Sequence, residues 1–292
     1  MLQYDWDTEI APYLHTITNV VGGFTLAKRG VITIADGSKV FVKIATEEQT
    51  EKWLAKEIDV YQTLNGAGFE YIPQLLAHNT KKTAMAITYL DGASFENVWD
   101  EAKLAAVITA QENLKKYKYL FLNNPVYKLN NDDLGIRWDR LLEGPNLEHL
   151  NDKLAKLNSK LQASYSQIKS YAQAQTGWSL SEDTLIHEDI RADNFGYDAS
   201  TKTGKLVDWN WLAIGDESLD ITGLFVSVHK SAFKPYDIYP DKYNSQTVLF
   251  LINFWLLALL DWNMESEPQQ WKLRLSQAES AALCIQLYHS RV

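Results

Sequence analysis

The chain has 292 residues, 46% hydrophobic and 22% charged, a balance that supports a folded protein and excludes a largely disordered one. Its formal net charge of −9 argues against broad electrostatic binding to nucleic acid, which needs clustered Lys and Arg to neutralise phosphates. A single cysteine, Cys284, excludes an internal disulfide framework, and the opening MLQYDWDTEI lacks the basic and apolar regions of a secretory signal, so a cytoplasmic protein is expected.

Residues 16–45 carry strand signals. VITI (Val31 to Ile34) and KVFVKIA (Lys39 to Ala45) are rich in β-branched and aromatic residues and flank the turn Ala35-Asp36-Gly37-Ser38, the pattern of an antiparallel hairpin. Between Glu47 and Leu64, the residues Leu54, Ile58, Tyr61 and Leu64 recur at helical spacing, and Gly66 and Gly68 stop the helix. An extended piece, Thr83 to Leu90, runs into Asp91-Gly92, where a small sheet-rich lobe of residues 1–90 gives way to a larger one, residues 91–292.

Beyond that point the spacing is mostly helical. Helices are expected over Phe95 to Tyr119, Leu147 to Gln175 and Gln246 to Trp262, with a last one from Gln269 that lines up Trp271, Leu275, Ala278, Ala282 and Ile285 on one face. The Asn-, Asp-, Gly- and Pro-rich stretch Asn123 to Pro145 reads as a long connection. The longest apolar run, Val248 to Leu260, is broken only by Asn253; it is too short to cross a bilayer comfortably and reads as a buried core helix, so no membrane association is expected.

The sharpest chemical signal is Leu185-Ile186-His187-Glu188-Asp189-Ile190-Arg191-Ala192-Asp193-Asn194-Phe195, followed by Lys205-Leu206-Val207-Asp208-Trp209. It has the form of an apolar strand end, H-x-D-x-x-x-x-N, a turn over residues 198–204, and a second apolar strand ending in Asp. Phosphoryl transfer needs a carboxylate near the attacking hydroxyl and oxygen ligands that hold magnesium against the phosphates. Asp189 fits the first role, Asn194 and Asp208 the second. The alternative is a polar turn in which Asp189 and Asn194 satisfy local backbone groups.

These motifs resemble the aminoglycoside phosphotransferase family of the protein-kinase-like superfamily, and the resemblance covers most of the chain. It implies an α+β, two-lobed fold, with a small antiparallel sheet and one key helix in the first lobe and a mainly helical second lobe. It also implies transfer of the γ-phosphoryl of ATP or GTP, with Mg2+, to a hydroxyl of a small molecule. His187-Glu188-Asp189 with Asn194 looks like the family's catalytic loop, where a Gly is more usual in place of Glu188. Asp208 matches the metal-binding Asp, although Trp209-Asn210 replaces the Phe-Gly that follows it in protein kinases. Arg191 occupies the place of a phosphate-contacting Lys, and is a second candidate catalytic residue beside Asp189. By the same resemblance Asp220 starts a helix and, with His187, supports the catalytic loop.

Lys43 shares one face of its strand with Phe41 and Ala45, and Glu57 projects within the apolar stripe of its helix. A carboxylate on the buried side of a helix needs a cation, and Lys43 is the obvious donor. The pair reproduces the strand Lys and helix Glu that position the nucleotide's α- and β-phosphates in kinases. The resemblance further aligns Gly22-Gly23 with a loop over the phosphates, and Thr88, Tyr89 and Leu90 with the hinge whose backbone binds the base. A protein kinase is disfavoured, since Asp220 follows Asp208 without room for a long activation segment. A pseudokinase or nucleotide-sensing module and a metal-dependent hydrolase are the remaining alternatives. For the acceptor, a cationic amino sugar or amino alcohol is the favoured guess, from the acidic chain, Asp216 and Glu217 after the metal strand, and the aromatic faces of Trp209 and Trp211.

Overall fold

The structure, a computed structural model of the chain, describes residues 2–20, 26–129, 138–157, 165–174, 179–229, 231 and 233–291. It divides into two compact units, Met1–Tyr127 with Leu185–Ile214, and Lys128–Thr184 with Gly215–Val292.

The first unit is built on five antiparallel strands, β1 (Thr18–Asn19), β2 (Lys28–Thr33), β3 (Lys39–Ile44), β4 (Leu75–His78) and β5 (Ala84–Thr88), in the order β1-β2-β3-β5-β4. The expected hairpin is β2–β3. Its turn closes with Ile34 N–H donating to Ser38 O, and its register pairs Arg29 with Lys43 and Val31 with Phe41. Alternation along the strands then separates two faces. Ile32, Val40, Val42, Ala84 and Ala86 form a dry cluster, sealed by Trp6 and Ile10 of the N-terminal segment. Arg29, Phe41, Lys43, Met85 and Ile87 fall on the opposite face.

Helix α1 (Glu48–Gly66) opens where Thr50 Oγ1 accepts from the Thr46 and Glu47 amides, satisfying donors that a helix start leaves bare. It ends as expected: Gly68 takes φ +79, a left-handed conformation that favours glycine, and Phe69 N–H returns to Leu64 O. Leu54, Glu57, Ile58, Tyr61 and Leu64 are all buried. Helix α2 (Glu101–Leu114) begins later than the expected Phe95, because Asp100 caps it by accepting from Lys103 N–H at 2.7 Å, while Ser94 bridges to Tyr197. The same unit contains all but the first residue of the short strand β6 (Thr184–Ile186), the strands β7 (Phe195–Asp198) and β8 (Thr203–Leu206), which form the expected second hairpin, and all but the last residue of β9 (Ala213–Gly215).

In the second unit, the expected helix from Leu147 to Gln175 is α3 (Asn146–Leu157) and α4 (Tyr165–Ala174); residues 158–164 lie outside the described residues. Then follow α5 (Glu217–His229), α6 (Pro235–Ile238), α7 (Ser245–Leu260) and α8 (Trp271–His289). α7 carries the long apolar run and packs along α8. The buried face of α8 is Ala278, Ala281, Cys284, Ile285 and Leu287, rotated from the expected stripe, and Trp271 is 40% exposed. No helix among the described residues is long and apolar enough to cross a membrane.

Gly204 on β8 lies beneath the Phe195 ring, where an added Cβ would come within 2.0 Å of Cζ. Gly204→Ala should therefore lower the unfolding free energy by about 2 kcal/mol, read by urea denaturation. A change under about 0.5 kcal/mol would mean that the ring moves freely.

Candidate active site

Of the residues singled out, Lys43, Glu57, Asn194 and Asp208 line one cavity of about 370 Å³ in the first unit, together with Arg29, Phe41, Met85 and Ile87 from the sheet and Asp193 and Val207 from the 187–208 segment; His187, Asp189 and Arg191 are not among its lining residues. Thr88, Tyr89 and Leu90 form one edge of it. The Thr88 amide is engaged with Gln74 O at 2.9 Å. Gly22 and Gly23 lie outside the described residues.

At the centre, Lys43 Nζ donates to Glu57 Oε2 and to Asp208 Oδ1, both at 2.6 Å. Lys43 and Glu57 are buried. Burial alone would push the Lys43 ammonium down, but the charges of Glu57 and Asp208 outweigh it and the net shift is upward. Glu57 is lifted by burial, with Lys43 opposing. Burial also pushes Asp208 up, yet Lys43, and then the charge of Arg29, bring it below the ordinary carboxylate range.

Asp208 ends the run that follows β8 with φ +67, and Glu188 takes φ +70. Both are left-handed positions that cost a side chain about 1–2 kcal/mol, which explains why the resembled family favours Gly where Glu188 stands. The bend at Glu188 is pinned by His187, a fully buried imidazole: Nε2 lies 3.1 Å from Val207 O, and Nδ1 accepts from Asp189 N–H at 3.3 Å. This pattern assigns the proton to Nε2. Burial holds the ring's pKa down to about 4, so it is neutral, and it packs 4.4 Å from the Trp209 ring.

Asp189 and Asn194 are joined directly: Asn194 Nδ2 donates to the Asp189 carbonyl at 2.9 Å and to its Oδ2 at 2.8 Å. With the amide nitrogen so engaged, the Asn194 side-chain oxygen is the atom left for a cation. Burial pushes the Asp189 carboxylate up to about 7; Arg191 opposes this, and Asp208 adds to it. Arg191 Nε sits 3.3 Å from Asp189 Oδ1 and 3.1 Å from Asp193 Oδ1, so its guanidinium is held among carboxylates.

Several expectations change. Trp209 is fully buried, its indole N–H donating to Leu206 O at 2.9 Å, so it offers no face to a ligand; Trp211 is 40% exposed and lies 5.9 Å from Trp53. In the orientation that satisfies both neighbours, the Asn210 amide links Trp211 Nε1 to Asp208 Oδ1, each at 3.0 Å. Asp220 is buried in the first turn of α5 but does not start it. Asp216 caps that helix, accepting from Ser218 N–H at 2.9 Å and from Ser181 N–H at 3.0 Å, which also commits its carboxylate. Arg29 escaped the sequence reading, although counting outward from the turn at 35–38 pairs it with Lys43.

This is a protein-kinase-like fold, with its strand Lys, helix Glu and loop carboxylates assembled around one cavity. Residues 25–244 match the phosphotransferase enzyme family, and the chain belongs to that family: it is a kinase that phosphorylates hydroxyl groups of small molecules. Similar solved structures include a GDP complex of an aminoglycoside 2′-phosphotransferase IIIa mutant, 16% identical, with a TM-score of 0.61 and coverage of 91% of this chain and 90% of that one. A GDP and kanamycin complex of APH(2″)-IIIa is 16% identical, with a TM-score of 0.59 and coverage of 98% and 97%. The choline kinase LicA from Streptococcus pneumoniae is 13% identical, with a TM-score of 0.57 and coverage of 90% and 91%. No curated protein sequence matches the chain.

A carboxylate whose pKa rises from 3.8 to about 7 on folding stabilises the fold fully below the unfolded value, and that contribution is lost as pH rises through about 7. Asp189→Asn removes the loss. The melting temperature of the variant should thus gain on that of the unaltered protein between about pH 5 and about pH 8, and exceed it at the upper end. A gap that does not change with pH would mean that Asp189 titrates as an ordinary carboxylate.

Proposed function

We propose that the enzyme transfers the γ-phosphoryl of ATP or GTP, with Mg2+, to a hydroxyl of a cationic small molecule such as an amino sugar or amino alcohol, in the cytoplasm. The observation that carries the transfer chemistry is the opposite tuning of two neighbouring carboxylates: Asp208 is held ionised beside Lys43, and Asp189 is lifted to about 7. In this reading residues 1–90 bind the nucleotide, with Lys43, oriented by Glu57, on the α- and β-phosphates and Thr88 to Leu90 along the base. Residues 91–292 carry the transfer chemistry and the acceptor.

The donor set fits magnesium. Among the described residues there is no cluster of three His, Cys, Asp or Glu side chains to form an all-protein cage. Two oxygen ligands, Asp208 and the Asn194 carbonyl, suit an ion that keeps its other positions for water and phosphate. When bound, the ion neutralises charge on the transferred phosphoryl group.

Asp189 accepts a hydrogen bond from the acceptor hydroxyl and takes its proton as the new O–P bond forms and the bond from the γ-phosphorus to the β-phosphate oxygen breaks, with the nucleoside diphosphate leaving; a pKa near the operating pH suits that exchange. Asn194 holds the Asp189 carboxylate by its amide, and neutral His187 holds the backbone amide of the same residue. Arg191, 3.3 Å from Asp189, is assigned the role of offsetting charge that develops on the transferred group.

The cationic acceptor is supported by the net charge of −9, by the exposed Trp211 ring, and by the kanamycin and choline named for two of the similar structures.

Asp189→Asn should lower kcat about a hundredfold or more with nucleotide affinity nearly unchanged, and the kcat/KM of the unaltered enzyme should fall on the acid side with a midpoint near 7. Retained turnover removes Asp189 from the mechanism. Asp208→Ala should abolish the Mg2+-dependent thermal shift given by a nonhydrolysable ATP or GTP analogue; an unchanged shift moves the metal elsewhere. For the acceptor, matched amine-bearing and deaminated compounds assayed at low and high salt should differ strongly in KM, with salt weakening the amine more. Equal KM values within each pair would exclude a cationic site.

A further inference from the structure

We infer that Arg29 is a second phosphate-binding cation of the cavity, which takes the polyphosphate of the nucleotide from the strand opposite Lys43. This deepens the nucleotide-site reading above and rests on it. The β2–β3 register sets Arg29 directly across from Lys43, and alternation puts both on the face that lines the cavity with Phe41, Met85, Ile87 and Asp208. Two like charges opposite one another on one face of a sheet repel, so such a pair persists only where anions balance it. Glu57 and Asp208 balance it in the structure, each 2.6 Å from Lys43 Nζ. An anionic ligand that draws Lys43 toward itself leaves Arg29 as the cation beside it.

The residue type also fits the ligand. A guanidinium is planar and permanently charged, and its fork matches two phosphate oxygens at once, which a lysine ammonium cannot do. The sequence before β2 departs from G-x-G-x-x-G, the pattern in which a loop backbone cradles phosphates. A side-chain fork on β2 supplies donors of the kind such a loop supplies from its amides. The competing role is that of a counter-ion to Asp208, whose carboxyl feels the Arg29 charge. The two roles differ in what they do to nucleotide binding without metal.

Calorimetric titration of the full-length chain with adenosine, AMP, ADP and ATP, and with the guanosine series, each with Mg2+ and with EDTA, separates them. Arg29→Met should weaken triphosphate binding about tenfold to a hundredfold in both conditions, weaken the diphosphate less, and leave the nucleoside within about twofold of the unaltered protein. Arg29→Lys should recover part of the loss, and it serves as the test if Arg29→Met fails to fold. Unchanged triphosphate affinity, an equal loss for nucleoside and triphosphate, or a loss seen only with Mg2+ overturns the assignment while the nucleotide site stands. A chain that binds neither series overturns both.

Discussion

Lys43 reaches two carboxylates at once, Glu57 from α1 and Asp208 from the segment after β8, and most of the site geometry depends on that contact. A buried carboxylate cannot remain ionised without a partner, and removing one member of such a pair costs about 3–5 kcal/mol. The bridge therefore ties together a strand, a helix and a loop end that are far apart in the sequence. It also lets Glu57 occupy the apolar face of α1, where it sits among Leu54, Ile58 and Tyr61. A deep ion pair is weak evidence for stability; here its value is in fixing where Asp208 points.

Around that bridge the backbone is held in conformations that side chains rarely adopt. Glu188 and Asp208 both lie in the left-handed region, and the neutral imidazole of His187 spans them, bonded to Val207 O on one side and to the Asp189 amide on the other. Strain of this kind persists only where the surroundings over-determine it. A protonated His187 would lose its acceptor nitrogen, so the low pKa imposed by burial is part of the support. Trp209, packed against the ring and bonded to Leu206 O, closes the same corner from behind.

Two carboxylates of the same residue type thus acquire opposite properties within one site. Lys43 and Arg29 hold Asp208 ionised against its burial, whereas burial lifts Asp189 to about 7, with Asp208 adding to it and Arg191 opposing. Environment rather than residue type separates the two.

The sequence by itself determined a good deal of this. Local rules fixed the β2–β3 hairpin, the extent of α1 and its glycine stop, and the H-x-D-x-x-x-x-N loop between short strands, because each depends on spacing within about twenty residues. The Lys43–Glu57 pair was also legible, since a charge in an apolar stripe demands a partner. Tertiary structure decided the rest. That Lys43 also binds Asp208, 165 positions away, follows only from how the sheet and the loop meet. The start of α2 after Asp100 rather than at Phe95 was set by a local cap that helical spacing does not reveal, whereas the rotation of the buried face of α8 and the burial of Trp209 were set by packing partners distant in the chain. Trp209 and Trp211 are two residues apart and of the same type, yet one fills a core and the other faces solvent. No local pattern distinguishes them, because burial belongs to the neighbours that the fold supplies.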